Sequence, residues 1–281
     1  METFMTSVPF SPARGMAARR IVFGIGAMLA VAFAGATGAQ TAPKVTRIDP
    51  PKSVLFVGNS YMYYNNSLHN HVVRLAREAD KANAADYFFR SMTLSGAYLH
   101  EHEGTLPGII NSRKWDVIVL QGQSREPMDY DTASADRFKS AAQNLDKIIR
   151  DTGAKTVFYM TWAYQDKPEM TAPLAEGYVK TANALGALVV PAGLAYERAL
   201  KERPSLVLHH TDKQHPSLAG TYLVACTFFA ALYNKSPQGL SFPDGLDRDT
   251  AAFLQGVAWT TANSFYGRIM VEKKVAMVAT H

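Results

Sequence analysis

The chain has 281 residues, 47% of them hydrophobic and 19% charged, a balance that excludes collagen-like, coiled-coil and wholly disordered chains. Its formal net charge is +5, but two of those charges come from Arg14, Arg19 and Arg20 set against Glu2 within residues 1–39. No Lys/Arg block follows and no nucleic-acid motif is present, so nucleic acid is not an expected partner. A single cysteine, Cys226, excludes an internal disulfide framework and a Cys-rich zinc site, and its apolar surroundings predict a core thiol.

The first forty residues read as an address. Arg19-Arg20 precede the apolar run IVFGIGAMLAVAFA at 21–34, and small residues follow to Ala39. This is the order of a secretory signal, with residues 1–39 removed near Ala39. The competing reading is a retained anchor; the apolar run alone is short of the roughly 20 residues a span needs. The expectation is an exported, periplasmic or secreted protein with no stable membrane insertion after cleavage. Residues 40–51, with Pro43, Pro50 and Pro51, read as a linker, and 52–281 as the folded domain.

Short apolar runs rich in β-branched and aromatic residues recur at 53–57, 87–92, 115–120, 155–160 and 187–191. They read as buried parallel strands rather than alternating, half-exposed ones. Amphipathic stretches separate them. Leu68, Val72, Leu75, Ala76 and Ala79 fall at helical spacing in 67–83, as do Phe138, Ala141, Ala142, Leu145, Ile148 and Ile149 in 133–151. Further helices are predicted at 171–186, 193–202, 217–233 and 249–270. The alternation implies an α/β fold: one central parallel sheet of about five strands in a three-layer α/β/α arrangement.

In such sheets ligands bind beyond the carboxyl ends of the strands, so the residues just past each strand are the informative ones. Ser60 follows the first strand, two residues after Gly58, at a strand-to-helix junction. There it is either a nucleophile flanked by backbone N–H donors or a turn residue and helix cap. Asp212 and His215 stand three apart just before a predicted helix. The carboxylate can fix the imidazole tautomer and leave the other ring nitrogen to take a serine proton. The alternative is a solvated loop in which Asp212 or Ser217 caps the helix.

Taken in order, these pieces resemble the SGNH, or GDSL-like, hydrolase family across roughly residues 52–235. Gly58-Asn59-Ser60-Tyr61 stands where that family has Gly-Asp-Ser-Leu, Gly96 where its oxyanion glycine falls, and Asp212-Lys213-Gln214-His215 matches its Asp-x-x-His. Two blocks depart. Asn59 replaces the acidic residue, and Gln121-Gly122-Gln123-Ser124 stands where Gly-x-Asn-Asp is usual. Gln123 falls on the asparagine position, with Gln121 as the competing candidate.

The resemblance implies the flavodoxin-like SGNH fold and a serine esterase acting on short acyl esters, acetyl among them, on a small molecule or a glycan. Ser60 would attack the carbonyl, with His215 as base and Asp212 as its orienter. Ser60, Gly96 and Gln123 would bind the oxyanion. Neither a metal nor an organic cofactor is implied, and activity is expected to fall as the imidazole protonates. An acyltransferase would use the same triad, and a non-catalytic binding module would use the same scaffold. Asn59, Tyr61, Gln121 and Trp162 fall beside the strand ends and are expected in the substrate cleft. The pairs His69/His71 and His100/His102 lack metal-site spacing.

Overall fold

The computed structural model describes residues 41–128 and 132–268. The segment read as an export signal lies outside these residues, as does the end of the last predicted helix. Among the described residues no helix is long and apolar enough to cross a membrane.

Five parallel strands form one sheet in the order β2-β1-β3-β4-β5. They are β1 (Ser53–Gly58), β2 (Phe88–Thr93), β3 (Val117–Leu120), β4 (Lys155–Tyr159) and β5 (Leu188–Val190). The helices are α1 (Ser60–Tyr63), α2 (Leu68–Ala79), α3 (Leu106–Ile110), α4 (Thr132–Asp151), α5 (Thr171–Leu185), α6 (Ala192–Glu202), α7 (Leu218–Tyr233) and α8 (Arg248–Phe265).

Successive strand side chains point to opposite faces, and this alternation divides the core in two. Val54, Phe56, Val117, Val119, Val157 and Tyr159 pack against α2, α6, α7 and α8. Leu55, Val57, Ile118, Leu120 and Phe158 pack against α3, α4 and α5. Both faces of the central strands are therefore covered, which is why β1 and β3 read as unbroken apolar runs. The edge strand β2 departs from the expectation of full burial: only Phe89 and Met92 are buried and Arg90 is exposed.

The segment expected as a linker is instead docked on the domain. Val45 pairs in parallel with Leu188 and so covers the free edge of β5. Thr41 Oγ1 donates to Glu176, and the Pro51 carbonyl accepts from Tyr233 Oη at 2.8 Å. Prolines here set an extended path along a surface. They do not by themselves make it a free tether.

Candidate active site

The end of β1 turns directly into α1. Asn59 is the N-cap: its Oδ1 accepts from Tyr61 N, and its carbonyl accepts from Met62 N. Ser60 is the first helical residue, so its N–H has no acceptor within the turn. The turn is tight enough to demand glycine at 58, where a Cβ would collide with Gln121 Oε1 and lie 2.9 Å from Met62 Sδ.

The other half comes from the loop between α6 and α7. His210 N donates to the His215 carbonyl, and His209 bridges Pro216, closing a narrow loop with Lys213 in the left-handed region at φ 65°. Gln165 N donates to the Lys213 carbonyl and Trp162 Nε1 to the Gln214 carbonyl, each at 2.9 Å, so the loop is gripped from beyond β4. Ser217 caps α7 by accepting from Gly220 N. That leaves Asp212 to the histidine rather than to the helix.

His215 Nε2 lies 2.8 Å from Ser60 Oγ, and its Nδ1 lies 2.5 Å from Asp212 Oδ2. Asp212 Oδ1 accepts from Gln214 N and His215 N, both at 2.9 Å. Partial burial works to raise the Asp212 pKa, but these N–H groups and the His215 ring outweigh it and hold the carboxyl down to about 2. An ionised carboxylate requires Nδ1 to carry the proton, which leaves the Nε2 lone pair facing the serine hydroxyl. Tyr64 stacks on the imidazole at 4.4 Å and Tyr61 meets it edge-on at 5.6 Å. Asn65, at φ 52°, donates from Nδ2 to the Pro216 carbonyl at 2.9 Å and to Thr221 Oγ1 at 2.8 Å. It thereby anchors the peptide that follows His215.

Gly96 lies in the loop after β2 at φ +68°, a conformation that favours glycine, and open space surrounds the position of a Cβ. The two glutamines after β3 have different surroundings. Gln121 is fully buried; its Oε1 accepts from Asn59 N, and its Nε2 donates to Asn59 Oδ1 and to the Gly122 carbonyl. Its donors are spent, so it neither walls a cleft nor competes with Gln123 as an oxyanion donor. Gln123 Oε1 accepts from Arg125 N, which fixes the amide orientation and leaves Nε2 as its donating end. Asn59 completes the network by donating from Nδ2 to the Ala97 carbonyl at 3.0 Å. An aspartate could not make that bond, so the departure at position 59 suits the Ala97 carbonyl.

Of the four residues expected in the cleft, Asn59, Tyr61 and Trp162 are buried along with Gln121. Trp162 is sandwiched between Tyr61 and Tyr196, with 4.4 Å between ring centroids on each side. These rings support the site from behind. The rings that reach solvent are Tyr63, whose Oη lies 3.0 Å from Ser95 Oγ, and Tyr98. From sequence, Tyr64 reads as a ring at the cleft rim and Glu126 as a contact for a polar substrate or a partner of Arg125; Asn65 has no such reading, its one signal being the Asn65-Asn66 pair, a turn signature.

His71 is buried, its Nε2 on the Asn65 carbonyl, and burial pushes His69 down to about 4. Among the described residues no group of three or more His, Cys, Asp or Glu side chains is placed to hold a metal ion.

No family model matches this chain, and no curated protein matches it. Solved structures are similar in fold. A DUF4886 family protein from Bacteroides uniformis superposes with a TM-score of 0.57 at 18% identity, over 78% of this chain and 97% of its own. A candidate SGNH hydrolase from Slackia heliotrinireducens gives 0.53 at 23% identity, over 64% and 97%. An acetyl xylan esterase gives 0.51 at 16% identity, over 64% and 98%. The three-layer fold with its five-stranded parallel sheet is that of SGNH hydrolase structures.

Proposed function

We propose that this chain is an exported serine esterase of the SGNH type that removes short acyl groups, acetyl in particular, from a carbohydrate or another small ester. The observation that carries the reading is the unbroken chain from Ser60 Oγ through the His215 imidazole to the Asp212 carboxylate, at 2.8 and 2.5 Å. Ser60 Oγ attacks the ester carbonyl while His215 Nε2 takes its proton, and Asp212 stabilises the imidazolium. The Ser60 and Gly96 N–H groups and Gln123 Nε2 receive the developing oxyanion. His215 returns the proton to the leaving alcohol, and water repeats the sequence on the acyl-enzyme.

The acetyl preference is supported by the similarity in fold to an acetyl xylan esterase. A sugar is supported by the exposed rings of Tyr63, which contacts Ser95, and of Tyr98, two residues past Gly96, both of which offer faces for stacking. Export rests on the pattern of residues 1–39.

The test is hydrolysis of p-nitrophenyl acetate, butyrate and octanoate by the purified protein beside Ser60→Ala. Acetate should be the best substrate and the variant inert. Equal rates for two folded proteins would refute the reading.

A further inference from the structure

Three loops must meet for an oxyanion to be held: the one after β1 with Ser60, the one after β2 with Gly96, and the one after β3 with Gln123. Asn59 ties the first to the other two, through the Ala97 carbonyl and through Gln121. The remaining side of this triangle, between the second and third loops, is made by one residue. Glu126 is 1% exposed. Its Oε2 accepts from Leu99 N at 2.9 Å and from Gln123 N at 2.8 Å, and its Oε1 also faces Leu99 N at 3.3 Å.

The surroundings are shaped to admit this carboxyl. A Cβ at Gly122 would come within 2.9 Å of Glu126 Oε2 and of the Phe138 ring, so only glycine leaves room. Glu126 N donates to the Gln123 carbonyl at 2.9 Å, which closes the turn and returns the side chain over its own loop. Burying a carboxyl costs free energy even with such partners. Apolar residues would pack this turn at lower cost, but they would leave the Leu99 and Gln123 N–H groups without acceptors.

We propose that Glu126 is the positioning residue of the oxyanion site: its buried carboxyl locks the Gly96 loop to the Gln123 loop so that donors from both converge beside Ser60. This inference rests on the esterase reading, because the convergence matters only to acyl chemistry. Both N–H groups reach the one atom Oε2, so a glutamine whose carbonyl oxygen takes that place keeps both bonds, whereas alanine leaves both donors without an acceptor.

The experiment compares wild type, Ser60→Ala, Glu126→Gln and Glu126→Ala. The readouts are kcat and KM on p-nitrophenyl acetate, amide exchange at Leu99 and Gln123, and the downfield proton resonance of His215 Nδ1–H. In Glu126→Ala kcat should fall about 100-fold, the scale of one lost oxyanion donor, with KM changed by less than about threefold, while Glu126→Gln should keep kcat within about tenfold of wild type. Exchange at Leu99 and Gln123 should quicken in Glu126→Ala while the His215 resonance persists.

A Glu126→Ala protein that keeps kcat within about threefold of wild type would overturn the proposal, as would a Glu126→Gln protein as impaired as Glu126→Ala. So would a loss of kcat accompanied by loss of the His215 resonance, since that marks general disruption. Should neither variant fold, the wild type decides: Leu99 and Gln123 amides that exchange as fast as exposed loop amides overturn the clamp, and joint protection supports it. A wild type no more active than Ser60→Ala refutes the esterase reading instead, while the exchange data still report on the clamp.

Discussion

α7 buries fifteen of its sixteen residues and carries no charged side chain, whereas the loops past β1 and β3 bury Asn59, Gln121 and Glu126 within a few residues of one another. The helix is held by area. Phe228, for instance, lies 5.3 Å from Phe56 and 5.2 Å from Tyr159 between ring centroids. The loops are held by direction, each N–H assigned to one oxygen. Area degrades gradually when a methylene is lost, and an assigned donor is either satisfied or not. The contrast locates stability in the helix layer and atomic placement in the loops.

That division can be broken from either side. Ser60→Ala should have the largest effect, a loss of at least about 10⁴-fold in kcat/KM on p-nitrophenyl acetate, with the thermal midpoint nearly unchanged. Phe228→Ala should do the reverse. It removes a fully buried ring and should cost about 3–5 kcal/mol in urea denaturation, while kcat per folded molecule holds. Gln123→Ala should lower kcat by about 10²–10³-fold, measured beside Gln121→Ala, which should instead show mainly a stability loss because it strands Asn59.

The smallest effect sharpens the contrast through pH. Burial pushes the Glu126 carboxyl up to about 7; the Leu99 and Gln123 N–H groups and Arg137 oppose the rise, and Glu101 adds to it. The buried Tyr178 is also coupled to this carboxyl. The folded state thus holds a proton that the unfolded chain releases near 4.5. Between those values stability should fall as pH rises, by about 3 kcal/mol in all. Asp212 has the opposite sign: its carboxyl is held down to about 2, so its contribution is present above the usual carboxylate range and disappears as pH falls toward 2. Denaturation curves at pH 5 and 7.5 for wild type and Glu126→Gln should show a smaller decline in the variant.

Much of the sheet was legible because each central strand is covered on both faces and so appears as an apolar run. The alignment of Ser60, Asp212 and His215 was legible for a local reason: a serine just past a strand and an acid three residues before a histidine keep their chemistry within short spans. The cleft was not. A ring just past a strand end can face the ligand or fold back beneath the loop. Tyr61 and Trp162 fold back because Trp162 Nε1 has an acceptor at the Gln214 carbonyl, far away in sequence. The bridging position of Glu126 was hidden for the same reason. Its burial depends on Leu99 arriving from the loop after another strand, and beside Arg125 it reads as a substrate contact or an ion-pair partner.

The Tyr61–Trp162–Tyr196 column has an optical consequence. Its rings lie within 6° and 4° of parallel, and its indole is tied to the residue before His215. Three stacked chromophores in a fixed chiral arrangement couple their transitions, so this column should contribute a near-ultraviolet circular dichroism band of its own. With Trp115 and Trp259 replaced by phenylalanine, the emission of Trp162 should respond to movement of the loop that carries His215. The column is thus a built-in reporter on the loop that carries His215, read without a label and without turnover.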